Sequence, residues 1–156
     1  MSKSLKRVRA ALETAGIDPD IRETALARTA ADAAAALDCD VDQIAKSIIF
    51  AGKTSGQAIL FLTAGAHKVD PEAAAALAGE PLGKADAALV RSQTGFAIGG
   101  VSPVGHLTQP RAFFDRRLTQ YDVVWAAAGT PHHVFPAEPN KLAQIAGAEL
   151  ADFSVP

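Results

Sequence analysis

Thr94–Gly95–Phe96–Ala97–Ile98–Gly99–Gly100–Val101–Ser102–Pro103–Val104–Gly105 carries four glycines and a proline in its last eleven residues, between two apolar segments. Glycine lets backbone amides approach a ligand closely and takes up angles that other residues resist. Proline fixes the exit of such a loop. A loop of this kind points main-chain N–H groups at a carbonyl or an oxyanion. Upstream, Lys46 interrupts the apolar run Ile44–Ala45–Lys46–Ser47–Ile48–Ile49–Phe50. A cation in a strand that reads as buried is costly unless its charge is used. One cation and one amide-rich loop together outline a site. The plain alternatives are an edge-strand lysine reaching out to water and an ordinary tight connection.

Working outward, Lys3–Ala15 reads as a helix, with Leu5, Val8 and Leu12 at helical spacing and Gly16 beyond its end. Its first turns hold Lys3, Lys6, Arg7 and Arg9, either a solvated face or a set of phosphate contacts. A short strand is expected at Glu23–Ala27. Thr29 caps a helix over Ala30–Leu37, with Asp32 beside its positive end. Asp40 or Asp42 starts a further helical turn. Strands Lys46–Ala51 and Ala58–Thr63 flank a five-residue turn and form a hairpin. Asp70–Pro71–Glu72 opens a helix that runs to Leu77 and ends at Gly79. Another helix is expected over Lys84–Ser92, then strands at Leu118, Asp122–Ala127 and His132–Pro136. Helix Pro139–Ile145 and strand Glu149–Ser154 close the chain. Without a regular strand–helix–strand alternation, the pattern predicts an α/β fold of the α+β type. It is a mixed, curved, barrel-like sheet flanked by helices.

The 156 residues suit one domain, 1–156, and 49% hydrophobic residues supply a core. No apolar run approaches the ~18–20 residues of a membrane span. The N-terminal Met-Ser-Lys-Ser-Leu-Lys-Arg lacks the apolar stretch of a secretion signal. A single cysteine excludes an internal disulfide and fits a reducing, cytoplasmic setting. A net charge of −2 argues against general polyanion binding, so no DNA is expected and any nucleic-acid contact needs a local patch.

Several apparent motifs fail on spacing. Gly52–Lys53–Thr54 resembles the end of a phosphate-binding loop, but Ser47 stands where that signature needs glycine, and a strand follows instead of a helix. Ser102 lies in Gly100-Val-Ser-Pro-Val-Gly105, which is not a nucleophile elbow, and Pro103 obstructs the helix an elbow requires. His67, His106, His132 and His133 lack metal-ligand spacing, so neither metal nor cofactor is expected. Cys39 lies between two aspartates, which raise a thiol's pKa and make it less reactive.

The order of these features resembles the YbaK/prolyl-tRNA-synthetase-associated domain family, free-standing relatives of the editing domain in bacterial prolyl-tRNA synthetases. The likeness runs from Ala25 to Phe153. It rests on Gln43-Ile-Ala-Lys46-Ser-Ile-Ile-Phe50, Val69-Asp-Pro71 and Thr94-Gly-Phe-Ala-Ile-Gly-Gly-Val-Ser-Pro103, with support from Ala127-Ala-Gly129 and Pro139-Asn-Lys-Leu142.

The resemblance implies hydrolysis in trans of the ester between a wrong amino acid and its tRNA. Mischarged tRNA, often that for proline, is then the partner, with prolyl-tRNA synthetase as a second candidate. The family's lysine falls on Lys46 and its Gly-x-x-x-Pro loop on Gly99–Pro103. The amides of Gly99, Gly100 and Val101 are the candidate oxyanion donors. Ser102, Pro103, Gly129 and His133 are candidate substrate contacts. His132 is the alternative to His133, and His106 is a loop residue near the site. No protein nucleophile stands out, so water or a group of the substrate attacks, and catalysis rests on positioning. Members that remove cysteine carry a serine beside the Ala-Gly pair. Ala127-Ala128-Gly129 therefore argues against cysteine as the residue removed, and alanine or a similarly small residue is the expectation. Two other readings stay open: a non-catalytic module that binds tRNA or a synthetase, and a hydrolase of small esters or amides.

Overall fold

The computed structural model describes residues 2–156. In chain order the elements are α1 (Lys3–Thr14), β1 (Arg22–Glu23), α2 (Ala30–Leu37), a 3-10 turn (Val41–Gln43), β2 (Ala45–Gly52) and β3 (Ala58–Ala64). Then come β4 (Lys68–Val69), α3 (Pro71–Ala78), β5 (Leu82–Lys84), α4 (Ala87–Thr94) and β6 (Arg111–Asp115). A second 3-10 turn (Arg116–Gln120), β7 (Val124–Ala127), β8 (His133–Ala137), α5 (Pro139–Ile145), β9 (Ala148–Ala151) and β10 (Ser154–Val155) complete it.

The fold is mixed α/β. A five-stranded sheet has the order β5-β2-β3-β6-β9, antiparallel across β5, β2 and β3 and parallel across β3, β6 and β9. An antiparallel sheet of order β1-β8-β7 stands beside it, and β10 pairs with β4. A bridge from Ile44 to Trp125 joins the two larger sheets, which do not close into a barrel among the described residues.

Strand β3 is buried along its whole length, because both faces of the sheet are covered. Its side chains alternate, as a strand demands. Leu60 and Leu62 pack with Leu5, Val8 and Leu12 of α1 and Leu142 of α5. Ile59 and Phe61 pack with Ala74 and Ala78 of α3, where alanine lets helix and sheet approach closely. Phe61 stacks on Phe113 at 5.2 Å and meets the edges of Phe50 and Phe153.

The helix starts follow their expected caps. Thr29 Oγ1 accepts from the Asp32 N–H, and Asp70 caps α3 with Pro71 at its first position. Four expectations are corrected. Lys84 belongs to β5, and α4 begins only at Ala87, where Asp86 accepts from the Leu89 N–H. Leu118 is the buried side chain of a 3-10 turn, not a strand residue. The strand expected at Glu23–Ala27 is only Arg22–Glu23. The last expected strand divides into β9 and β10. No helix among the described residues is long and apolar enough to cross a membrane.

Candidate functional site

Strand β2 makes one wall of a cavity of about 690 Å³. Strand β5 covers only its far end, pairing with Phe50–Gly52. Ala45, Lys46, Ser47 and Ile48 line the cavity from the uncovered end. The glycine loop contributes Gly99 and Val101, the turn between β7 and β8 contributes Thr130, and the start of β8 contributes His133. Helix α2 and the segment before it close the other side with Ala30, Ala33 and Arg28.

The Lys46 ammonium donates to the His67 carbonyl at 2.6 Å. Burial pulls its pKa below the usual lysine value, while the Asp42 and Asp115 carboxylates push the other way and Lys68 adds to the lowering. Behind it lies a polar cluster that fixes the turn supplying that carbonyl. Asp42 Oδ1 accepts from the Ala66 N–H at 2.9 Å, and Asp42 Oδ2 accepts from Arg117 Nε at 3.0 Å. Burial alone would raise the Asp42 pKa; the Ala66 amide, the Arg117 guanidinium and nearby His67 outweigh it and hold it low. Ser154 Oγ donates to Asp115 Oδ2 at 2.6 Å and also meets His67 Nδ1 at 2.9 Å.

The glycine loop has a closed neck. Leu107 N–H donates to the Thr94 carbonyl and Thr108 N–H to the Gln93 carbonyl, both at 3.0 Å. Its tip is tied to β2 by the Ser47 hydroxyl, which donates to the Val101 carbonyl at 2.7 Å. Gly99 has φ +93°, a left-handed conformation that glycine takes without strain. The Gly100 N–H is occupied: it donates to the Ala97 carbonyl at 3.1 Å. The Gly99 and Val101 amides donate to no protein acceptor among the described residues.

Of the expected site residues, Lys46, Gly99, Val101 and His133 share the cavity wall. Gly100 sits behind it with its Cα against Thr130, and a Cβ there would stand 2.8 Å from Thr130 Cα. Ser102 is fully buried, its Oγ accepting from the Val104 N–H at 3.2 Å, and Pro103 is buried beside it. Gly129 backs onto Ser4 of α1, outside the wall. His106 packs edge-on to Phe96 outside the cavity, and burial lowers its pKa to about 4, so the ring is neutral at pH 7. His132 is exposed. The Cys39 thiol is pushed up by burial first, then by Asp40 and Asp38. Among the described residues no three His, Cys, Asp or Glu side chains converge as a metal site.

Three further residues bear on the site without a local signal in the sequence. Thr130 Oγ1 lies 2.6 Å from His133 Nδ1 and fixes that ring against the wall. Arg28 stands exposed at the cavity mouth. Ser47 anchors the loop, which only the fold brings to it. Arg7, expected on a solvated face or as a phosphate contact, turns inward onto the glycine loop. Lys3 and Lys6 remain exposed. Arg111, Arg116 and Arg117 are engaged by the Ala78 carbonyl, Asp152 and Asp42 respectively.

Cationic side chains and unoccupied loop amides thus line one cavity. The family model for the aminoacyl-tRNA editing domain matches residues 24–145. The chain belongs to the aminoacyl-tRNA editing domain family. Among solved structures of similar shape is one described as a candidate trans-editing enzyme for prolyl tRNA synthetase, 44% identical, with TM-score 0.91, covering 100% of this chain and 99% of its own. A structure from computational epitope grafting onto scaffold proteins is 42% identical, with TM-score 0.92 and full coverage of both chains. The uncharacterized protein YwhH of Bacillus subtilis (strain 168) is 29% identical over 148 residues, 94% of each chain. This editing domain thus keeps its fold across the full length of relatives whose sequences differ at more than half of their positions.

Proposed function

We propose that this editing domain is a single-domain, trans-acting deacylase that hydrolyses the ester of alanine, or a similarly small amino acid, on the tRNA for proline. The observation that carries the reading is the cavity, which Lys46 and a loop with two unoccupied amides both line. The solved relative described as a candidate trans-editing enzyme for prolyl tRNA synthetase supports the choice of tRNA.

In the reaction, water attacks the ester carbonyl carbon and negative charge gathers on the carbonyl oxygen. The Gly99 and Val101 N–H groups donate to that oxygen, which interacts more strongly with them as the charge grows. The carbon–oxygen bond to the ribose then breaks. The attacking water supplies the hydroxyl of the free amino acid and the proton of the ribose hydroxyl. Lys46 holds the terminal phosphate or the ribose end and thereby orients the aminoacyl group. His133, fixed by Thr130, contacts the substrate from the opposite wall. The small side chains of Ala126 and Ala127 leave room for a small aminoacyl group without offering it a hydroxyl.

Contact with the tRNA body falls to Lys3, Lys6 and Arg28, whose phosphate contacts must overcome an overall negative chain. Prolyl-tRNA synthetase is the candidate protein partner. The deciding experiment incubates catalytic amounts of protein with a panel of mischarged tRNAs and measures released amino acid. Alanine on the tRNA for proline should be released fastest. Binding without release would make this a tRNA-binding module. Equal rates on a short ester lacking the tRNA body would make it a small-ester hydrolase.

A further inference from the structure

Helix α1 lies outside the span matched by the family model, yet it enters the site from behind. Ser2 caps it, and Leu5, Val8 and Leu12 anchor its apolar face in the core. That anchoring aims Arg7 at the inside of the glycine loop's neck. Arg7 Nη2 donates to the Gly95 carbonyl at 2.7 Å, and Nε donates to the Gly105 carbonyl at 3.1 Å. The guanidinium carbon sits 4.9 Å from the centre of the fully buried Phe96 ring. One planar cation therefore bonds both legs of the loop and stacks on the aromatic between them. A lysine ammonium has neither the fork nor the flat face to do this. The Ser47 hydroxyl fixes the tip, and Arg7 fixes the legs.

We infer that Arg7 is a positioning residue that sets the glycine loop, and through it the free Gly99 and Val101 amides, against the cavity. The catalytic consequence rests on the deacylase reading; the structural one does not. Arg7 touches no cavity-wall position itself, so its removal should act on turnover more than on substrate binding.

The experiment compares wild type, Arg7→Ala and Arg7→Lys in two ways. Amide NMR follows residues 95–106 against β2 and β3. Deacylation of mischarged tRNA gives kcat and KM. In Arg7→Ala the loop amides should shift and lose exchange protection, while β2 and β3 amides stay as in wild type. Its kcat should fall about tenfold with KM changed by less than about twofold, and methylguanidinium should restore part of the rate. Arg7→Lys should leave the loop loosened despite its charge. Unchanged loop amides in a folded Arg7→Ala protein would overturn the inference. So would loss of protection spread evenly over loop and sheet. If wild type releases no amino acid from any mischarged tRNA, the deacylase reading fails, and the loop amides still decide for or against Arg7.

Discussion

The two walls of the cavity are built by opposite means. The β2 wall presents a side chain, Lys46, at a cost: its ammonium is partly withdrawn from water, and a cluster of partly buried charges behind it offsets that. The loop wall presents backbone. Its Gly99 and Val101 amides carry no side-chain chemistry, and side chains from elsewhere, Ser47 and Arg7, hold them in place. A charge in a strand can be deleted without moving its neighbours. A backbone donor can be disturbed only by moving the chain. The two walls should therefore respond differently to mutation.

The β2 wall should give the largest effect. Lys46→Ala should lower deacylation at least tenfold, which is ~1.4 kcal/mol of transition-state stabilisation. Lys46→Met should lose as much activity yet keep or raise the melting temperature, since a partly desolvated cation is replaced by an apolar chain of similar length. Near-normal turnover by either folded variant would remove Lys46 from the reaction.

On the loop wall, Gly100→Val should lose both activity and stability, because its Cβ would meet the Thr130 backbone. Gly99→Ala separates the two. A Cβ there has nothing within 4 Å, but φ is +93°, so the side chain strains the backbone by roughly 1–2 kcal/mol. Turnover should fall about fivefold as the amide reorients. Unchanged turnover with lowered stability would show that this amide is not a donor.

The β2 wall was also the more legible. Lys46 stands out by local contrast, and the Thr29 and Asp70 caps and the β2–β3 hairpin follow from short-range rules. Strand β6 went unread because its Ala112, Phe113 and Phe114 are buried on both faces and show no alternation. The loop's composition announced closely approaching amides but not which were free; the Gly100 turn bond to Ala97 decides that. Helical spacing placed Arg7 beside Lys3 and Lys6. It could not show that carbonyls at positions 95 and 105 would claim it. Ser47, Thr130 and the Asp42 cluster likewise acquire roles only through contacts that the fold creates.

The charge cluster behind Lys46 predicts a pH-dependent difference. The Asp42 pKa is held below its unfolded value, so its contribution to stability is complete above about pH 4 and is lost as pH falls through the folded pKa. Asp42→Asn should therefore cost about 1–2 kcal/mol at pH 7, from the weakened Ala66 and Arg117 bonds. The gap should be narrower at pH 3. Urea unfolding at both pH values measures it. A constant gap would mean that Asp42 acts by packing and not by its charge.

The smallest effect belongs at the seam where the loop leaves the site. Ser102 has a hydroxyl in the glycine stretch, yet the side chain is fully buried and its oxygen accepts from the Val104 N–H at 3.2 Å. That bond holds the loop's exit, away from the cavity wall. Ser102→Ala leaves the Val104 amide without that acceptor and should cost about 1 kcal/mol of stability. Turnover should stay within about twofold, because Gly99 and Val101 remain fixed by the neck, Ser47 and Arg7. Measuring both quantities on one preparation separates the cases. Complete loss of turnover in a folded Ser102→Ala protein would bring back a serine nucleophile and make the loop wall a side-chain wall after all.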